Sequence, residues 1–246
     1  MTADLRSAVW EALGTVVDPE LDEPITDLGF VTEYGVEDTD VRVRLRLPTA
    51  FCSPNFAYLM ASDAYDAIQA IPGVGGLTLT LDDHSDSAAI NAGIAAGLGF
   101  AAAFPAETDS GLSELRATFR RKAHQAYVDR VCSAMIIDGW PVEDLHRLTM
   151  ADLPAGRLRD GLERRCIDLG LPITGHFPVC VDEDGVPWPA EELPRRLRFA
   201  RSVRVSIDGN AHFCRGLLAT RYPGAAEAQA QRQHELLTLT PVRSAR

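Results

Sequence analysis

Cys52 stands just before Ser53-Pro54 and five residues beyond Leu47, where the most regular alternating stretch of the chain ends. Ser is a favoured N-cap and Pro a favoured first helical residue, so the pair predicts a helix start. A helix N-terminus carries partial positive charge and free N–H groups. Both favour a thiolate over a thiol, and a thiolate is what a soft or borderline metal ion binds. Asp18 and Glu20 flank Pro19 in a turn and are carboxylates able to approach the same edge. The plainer alternative makes Cys52 a small buried hydrophobe and Asp18 a turn residue; spacing alone leaves both open.

The other four cysteines, Cys132, Cys166, Cys180 and Cys214, lie in the C-terminal half. His176-Phe177-Pro178-Val179-Cys180 sets an imidazole and a thiol four apart, and His212-Phe213-Cys214 sets another pair two apart. On a strand, residues two apart share a face. Brought together, His176, Cys180, His212 and Cys214 would make a Cys2His2 set for zinc or iron. Against this, the spacing is not a Cys-x-x-Cys knuckle, and Phe177 and Phe213 can equally fill a small core with the His and Cys as packing residues. Cys132 and Cys166 fall in helical patterns and are expected in the core.

The elements that must position these residues are read from periodicity. Leu5, Val9, Leu13 and Val16 predict a helix over 5–16. Asp18-Pro19-Glu20-Leu21 predicts a turn. A short strand is expected over 28–34. Val41-Arg42-Val43-Arg44-Leu45-Arg46-Leu47 alternates without a fault and predicts a half-buried strand. The helix opened by Ser53-Pro54 is stopped by Pro72-Gly73, and 77–81 is a third alternating strand. Residues 88–103 are Ala/Gly-rich and predict a helix weakened by glycine; 105–111 reads as a linker. Helices are expected over 112–138 and 157–169, with short ones at 141–145 and 149–153. Later, 177–181 and 203–207 read as strand, Asp208-Gly209 as a turn, and 212–218 as a strand pairing back.

Composition bounds the function. The 246 residues carry 24 basic and 35 acidic side chains, a net charge of −11. Residues 1–106 hold four Arg, no Lys and sixteen acids, so nucleic acid and anionic membranes are poor partners for that half. The one Lys, Lys122, leaves no P-loop, and no Gly-x-Gly-x-x-Gly is present. The basic run from Arg195 to Arg204 reads as a solvated helix face. An odd count of five Cys argues against a disulfide framework. Together with an N-terminus lacking a signal pattern, it predicts a reducing cytoplasm.

Three motifs carry a resemblance. Asp18-Pro19-Glu20-Leu21, Thr26-Asp27-Leu28-Gly29-Phe30-Val31 and Arg46-Leu47-Pro48-Thr49-Ala50-Phe51-Cys52-Ser53-Pro54 resemble, in order and context, the DUF59/MIP18 family of iron–sulfur (metal–sulfur) cluster assembly factors. The likeness covers about residues 5–82. It implies a small α/β fold and points to Cys52 as the metal-handling thiol, with Asp18, Glu20 and Thr49 along the same edge. Two departures stand out. Ser53 separates Cys52 from Pro54, and Asp82-Asp83-His84 replaces a Pro-x-Trp segment, which makes His84 either an extra ligand or a solvated turn residue. The whole chain, with Asp83-His84, Ile90-Asn91-Ala92-Gly93 and a late His-Phe-Cys-Arg-Gly, resembles accessory proteins of bacterial propane-type soluble di-iron monooxygenases.

The expected protein is therefore α+β. A two-layer α/β domain over 1–86 is followed by an Ala/Gly-rich connector over 87–111 and a mainly helical domain over 112–246 with terminal β segments. The expected role is a non-catalytic maturation factor that holds iron or an iron–sulfur cluster transiently. Its partner would be a client apoprotein, such as a di-iron monooxygenase hydroxylase subunit, with homodimer formation a further option. A client-specific chaperone that handles no metal is the alternative. A thiol-dependent enzyme is the third reading, though none of the local signatures of thiol hydrolases is present.

Overall fold

In the computed structural model, which describes residues 2–104 and 110–224, the alternation of 41–47 becomes β4 (Asp40–Arg46), the centre of a three-stranded sheet. β3 (Val31–Glu37) pairs with it antiparallel and β5 (Leu77–Asp82) parallel. Val41, Val43 and Leu45 face the core opposite Leu77, Leu79 and Leu81, while Arg42 and Arg44 face solvent. A parallel pair needs a long crossover, and α2 (Pro54–Gln69) supplies it. α1 (Thr2–Thr15) packs on α2 and β3. Residues 28–30, expected to open the first strand, instead form a buried loop. It follows a short ribbon of β1 (Val17–Asp18) and β2 (Glu23–Pro24). Leu13, Phe30, Leu45, Ile68 and Leu81 are among the fully buried side chains of this core. Each contributes about 1.5–3 kcal/mol relative to exposure.

The chain divides into two units, Ser113–Asn210 and the remainder. The Ala/Gly-rich stretch expected as a connector is folded into the first unit. It forms α3 (Ser87–Ala95) and α4 (Phe100–Ala103), which bury Ile90, Ile94 and Phe100. Its glycine has a packing reason: a Cβ on Gly93 would stand 2.8 Å from the Cβ of Ala103 and 3.4 Å from the Tyr58 ring. Asn91 finishes the outer edge of β5. Its side-chain oxygen accepts from the Leu81 N–H at 2.7 Å, and its amide donates to the Leu81 carbonyl at 3.1 Å. Both main-chain groups of Leu81 are thereby paired without a further strand. Most of the linker expected at 105–111 lies outside the described residues; α5 (Ser110–Ile137) begins within it.

The second unit is built from α5, two 3-10 turns (Val142–Arg147 and Met150–Asp152), α6 (Arg157–Asp168) and the first part of α7 (Leu193–Arg221). Val128, Val131, Leu145, Leu148, Met150, Leu162 and Trp188 share its core. Thr149 and Asp152 form a reciprocal capping box over the second turn. β structure here is limited to the isolated bridges Thr149–Pro178 and Val181–Pro187. The terminal strands expected at 203–207 and 212–218 are not strands: both lie inside α7, and Asp208-Gly209 is helix interior. Two ion pairs decide the matter locally. Arg204 reaches the buried Asp129 at 2.6 Å and Asp208, one turn on, at 3.1 Å. Among the described residues no helix is long and apolar enough to cross a membrane.

Candidate functional site

Cys52 sits where expected, in the loop between the carboxyl end of β4 and the first turn of α2, and it is half-buried. Ser53 occupies the N-cap position and Pro54 the first turn, although the Ser53 side chain makes no capping hydrogen bond. Thr49 joins the thiol directly, its Oγ1 3.5 Å from the Cys52 Sγ. The same hydroxyl accepts the Phe51 N–H at 3.1 Å, so Thr49 holds both the sulfur and the backbone just before it. Phe51 projects outward and is 84% exposed, whereas Tyr58 is buried.

His84 is neither a solvated turn residue nor an available ligand. Its ring is buried, and both nitrogens are engaged. Nδ1 accepts the Asp86 N–H at 3.1 Å, which leaves the proton on Nε2, and Nε2 donates to the Cys52 carbonyl at 2.8 Å. A metal would have to displace one of these bonds. The histidine braces the Cys52 backbone from the loop that follows β5. Asp83 in that loop adopts φ +54°, a left-handed conformation that Asp tolerates. Its carboxylate lies 3.2 Å from Arg46.

Asp18 is buried and builds its own turn. Its Oδ1 accepts the N–H groups of Glu20 at 2.9 Å and Leu21 at 3.0 Å. Burial pushes its carboxyl up to about 6, against the opposing effect of those two hydrogen bonds, with the charges of Glu20 and Glu23 adding to the rise. Glu20 follows on the same turn and is half-buried.

The second constellation is not assembled. His212 and Cys214 lie on a helix rather than a strand, so two residues apart means nearly opposite faces. His212 is exposed and Cys214 half-buried. His176 is exposed, and Cys180 is buried with its Sγ 3.5 Å from that of Cys132. That contact, with burial, pushes the Cys132 thiol far up, which suits a core packing pair. Phe213 is exposed rather than part of a core. Among the described residues no group of three or more His, Cys, Asp or Glu is close enough to hold a metal ion.

What spacing did not reveal is where Cys214 goes. It packs against the same core as Cys52. Burial, followed by the charges of Asp18, Cys52 and Glu20, pushes its thiol up to about 11. The end of α7 is held there by several contacts. Arg215 pairs with Glu23. Arg221 donates to the Asp83 carbonyl at 2.9 Å. The Tyr222 hydroxyl donates to the Asp83 carboxylate at 3.3 Å, and the Arg46 guanidinium lies 4.3 Å over the Tyr222 ring. Leu217, Thr220 and Arg221 form an open groove of about 430 Å3 with residues 48–51. The signal was present in the sequence: Ile207, Ala211, Cys214 and Leu218 recur at four, three and four, a helical period.

Comparison with known proteins bears on the segment that carries Asp18, Thr49 and Cys52. The chain is 39% identical over 85 residues to an iron–sulfur cluster carrier protein of Mycobacterium leprae, covering 34% of this chain and 22% of that protein. It is 36% identical over 84 residues, with the same coverage, to proteins of that name in Mycobacterium bovis and Mycobacterium tuberculosis. The chain thus spans about a fifth of the length of the curated relatives it matches. No solved structure matches it. Residues 6–79, which hold the whole sheet up to Leu79 and the Cys52 loop, match the family described as iron–sulfur cluster assembly protein.

Proposed function

We propose that this protein takes part in iron–sulfur cluster assembly as a non-catalytic factor, holding iron or a cluster as cargo at Cys52 and passing it to a client apoprotein. The observation that carries the reading is the Cys52 loop. A half-exposed thiol stands at the mouth of α2, held by Thr49 and braced by His84, within the segment similar to the assembly family. Delivery requires an open site, because a closed set of four ligands retains its metal. The half-buried Cys52 is in keeping with transient holding. A di-iron monooxygenase hydroxylase is the client that the whole-chain resemblance suggests.

The test is anaerobic reconstitution of the full chain with ferrous iron and sulfide, followed by transfer to an apo-ferredoxin. Cys52→Ser is expected to reduce transferred iron to the level seen without protein. Transfer equal to wild type from that variant overturns the reading. Coexpression with a di-iron hydroxylase, scored by its iron content, tests the client. A second reading, a folding helper without metal handling, is favoured by Phe51, an exposed aromatic beside an apolar groove. It expects Cys52→Ser to keep client activity and Phe51→Ser to lose it.

A further inference from the structure

We propose that Cys132 and Cys180 are a redox-active pair that a hydroperoxide closes to a reversible disulfide, latching the segment 177–181 onto α5. The inference concerns the second unit alone and stands apart from the reading of Cys52. The two sulfurs lie 3.5 Å apart, in contact, although the residues are 48 positions apart in sequence. No other pair of cysteine sulfurs is in hydrogen-bond contact among the described residues, which include all five cysteines. A disulfide sets its sulfurs about 2.0 Å apart, so closure asks for a movement of about 1.5 Å. Cys132 belongs to α5 and is fixed in the core with Val128, Val131 and Met135. Cys180 lies in a segment without a regular element. Its neighbourhood is held by main-chain hydrogen bonds from Met150 to Phe177, from Val179 to Leu148 and from Trp188 to Cys180. A segment of this kind shifts by such a distance more readily than a turn of helix does.

Burial narrows the chemistry open to the pair. Both side chains are buried, so neither sulfur is offered to a partner protein or to a bulky disulfide. Cys166, the third buried thiol of the same core, makes no such sulfur contact. Burial and the Cys180 contact also push the Cys132 thiol far up. The closed unit therefore reacts slowly, and a small oxidant gains access through local opening. Hydrogen peroxide is such an oxidant. One thiol loses its proton to solvent and attacks a peroxide oxygen. The O–O bond breaks, the leaving hydroxide takes up a proton as water, and a sulfenic acid remains. The second sulfur attacks the sulfenic sulfur, the S–O bond breaks, and a second water leaves. Two thiols are oxidised by two electrons and one peroxide is reduced to two waters. A dithiol reductant reverses the bond by exchange.

The test exposes the reduced full chain to hydrogen peroxide in the presence of a chelator. The chain is then denatured in N-ethylmaleimide and mapped after cleavage at Arg and at Asp, which separates Cys166 from Cys180. The expected product joins the Cys132 and Cys180 peptides and is about 2 Da lighter than the two together. Cys166 remains labelled, and dithiothreitol restores both thiols. Closing so long a loop should raise the melting temperature by about 10 °C. Cys132→Ala and Cys180→Ala should lose both the bond and the rise. If neither variant folds, the wild-type map and melting curve decide alone. Persistent labelling of both cysteines overturns the proposal, as does a bond from either one to Cys166. So does a bond that forms only in urea, or one that leaves the melting temperature unchanged.

Discussion

At the scale of single residues, Asp18 shows what the site costs. A carboxyl that ordinarily titrates at 3.8 is pushed up to about 6 by burial. Between those values the folded chain holds a proton that the unfolded chain has lost. This group therefore favours folding at low pH, and that contribution disappears as pH rises through 6. A shift of this size corresponds to about 3 kcal/mol. Asp18→Asn keeps the oxygen that accepts from Glu20 and Leu21 and removes the buried charge. It is expected to raise stability above pH 7 by about 1–3 kcal/mol, measured by urea unfolding; no gain there would refute the burial account. His84 works in the opposite direction. His84→Ala removes the Nε2–H bond to the half-buried Cys52 carbonyl and leaves that acceptor without its partner. The expected loss is about 1–3 kcal/mol, together with faster alkylation of Cys52 as its loop loosens.

At the scale of elements, what the sequence disclosed depended on whether local signals agreed. Over 41–47 the apolar period, the β-branched residues and the outward Arg side chains all say strand, and β4 is there. Ser53-Pro54 and the 54–69 periodicity both say helix, so the mouth of α2 beside Cys52 was legible. Over 203–218 the signals conflict. Val203, Val205 and Ile207 alternate with a β-branched bias and Asp208-Gly209 imitates a turn, yet the longer helical period and the pairing of Arg204 with Asp129 and Asp208 prevail. Cys214 was misplaced for that reason. His84 could not be read at all, since its partner Cys52 is 32 residues away. Tertiary packing also overrides propensity at Gly161 on α6. Alanine is favoured over glycine in a helix by about 1 kcal/mol. A Cβ there, however, would lie 1.9 Å from the Tyr127 hydroxyl oxygen and 2.3 Å from its ring carbon. Gly161→Ala is expected to lower stability rather than raise it, as read by thermal unfolding. Adding Tyr127→Phe, which removes the nearest atom, should recover part of the loss.

At the scale of the whole molecule, each unit contains a buried group whose proton affinity burial shifts, Asp18 in the first and His124 in the second, and the two respond to acid with opposite sign. In the second unit His124 is buried with its Nε2 unpartnered, and burial, aided by Arg165, lowers it from 6.5 to about 4. Between those values the unfolded chain binds a proton that the folded unit refuses, so stability is lost as pH falls from 6.5 toward 4. Asp18 in the first unit gains over nearly the same range. Acidification from about pH 7.5 to about pH 5 should therefore raise protection in the first unit and lower it in the second. Hydrogen exchange, corrected for intrinsic rates, reads the two separately through the amides of β4 and those of α5 around Val128 and Val131. His124→Leu should flatten the response of α5 and leave that of β4 unchanged, while Asp18→Asn should do the reverse. A common direction in both units would mean that other carboxylates dominate. The crossed result would trace the pH response of each unit to a single buried side chain.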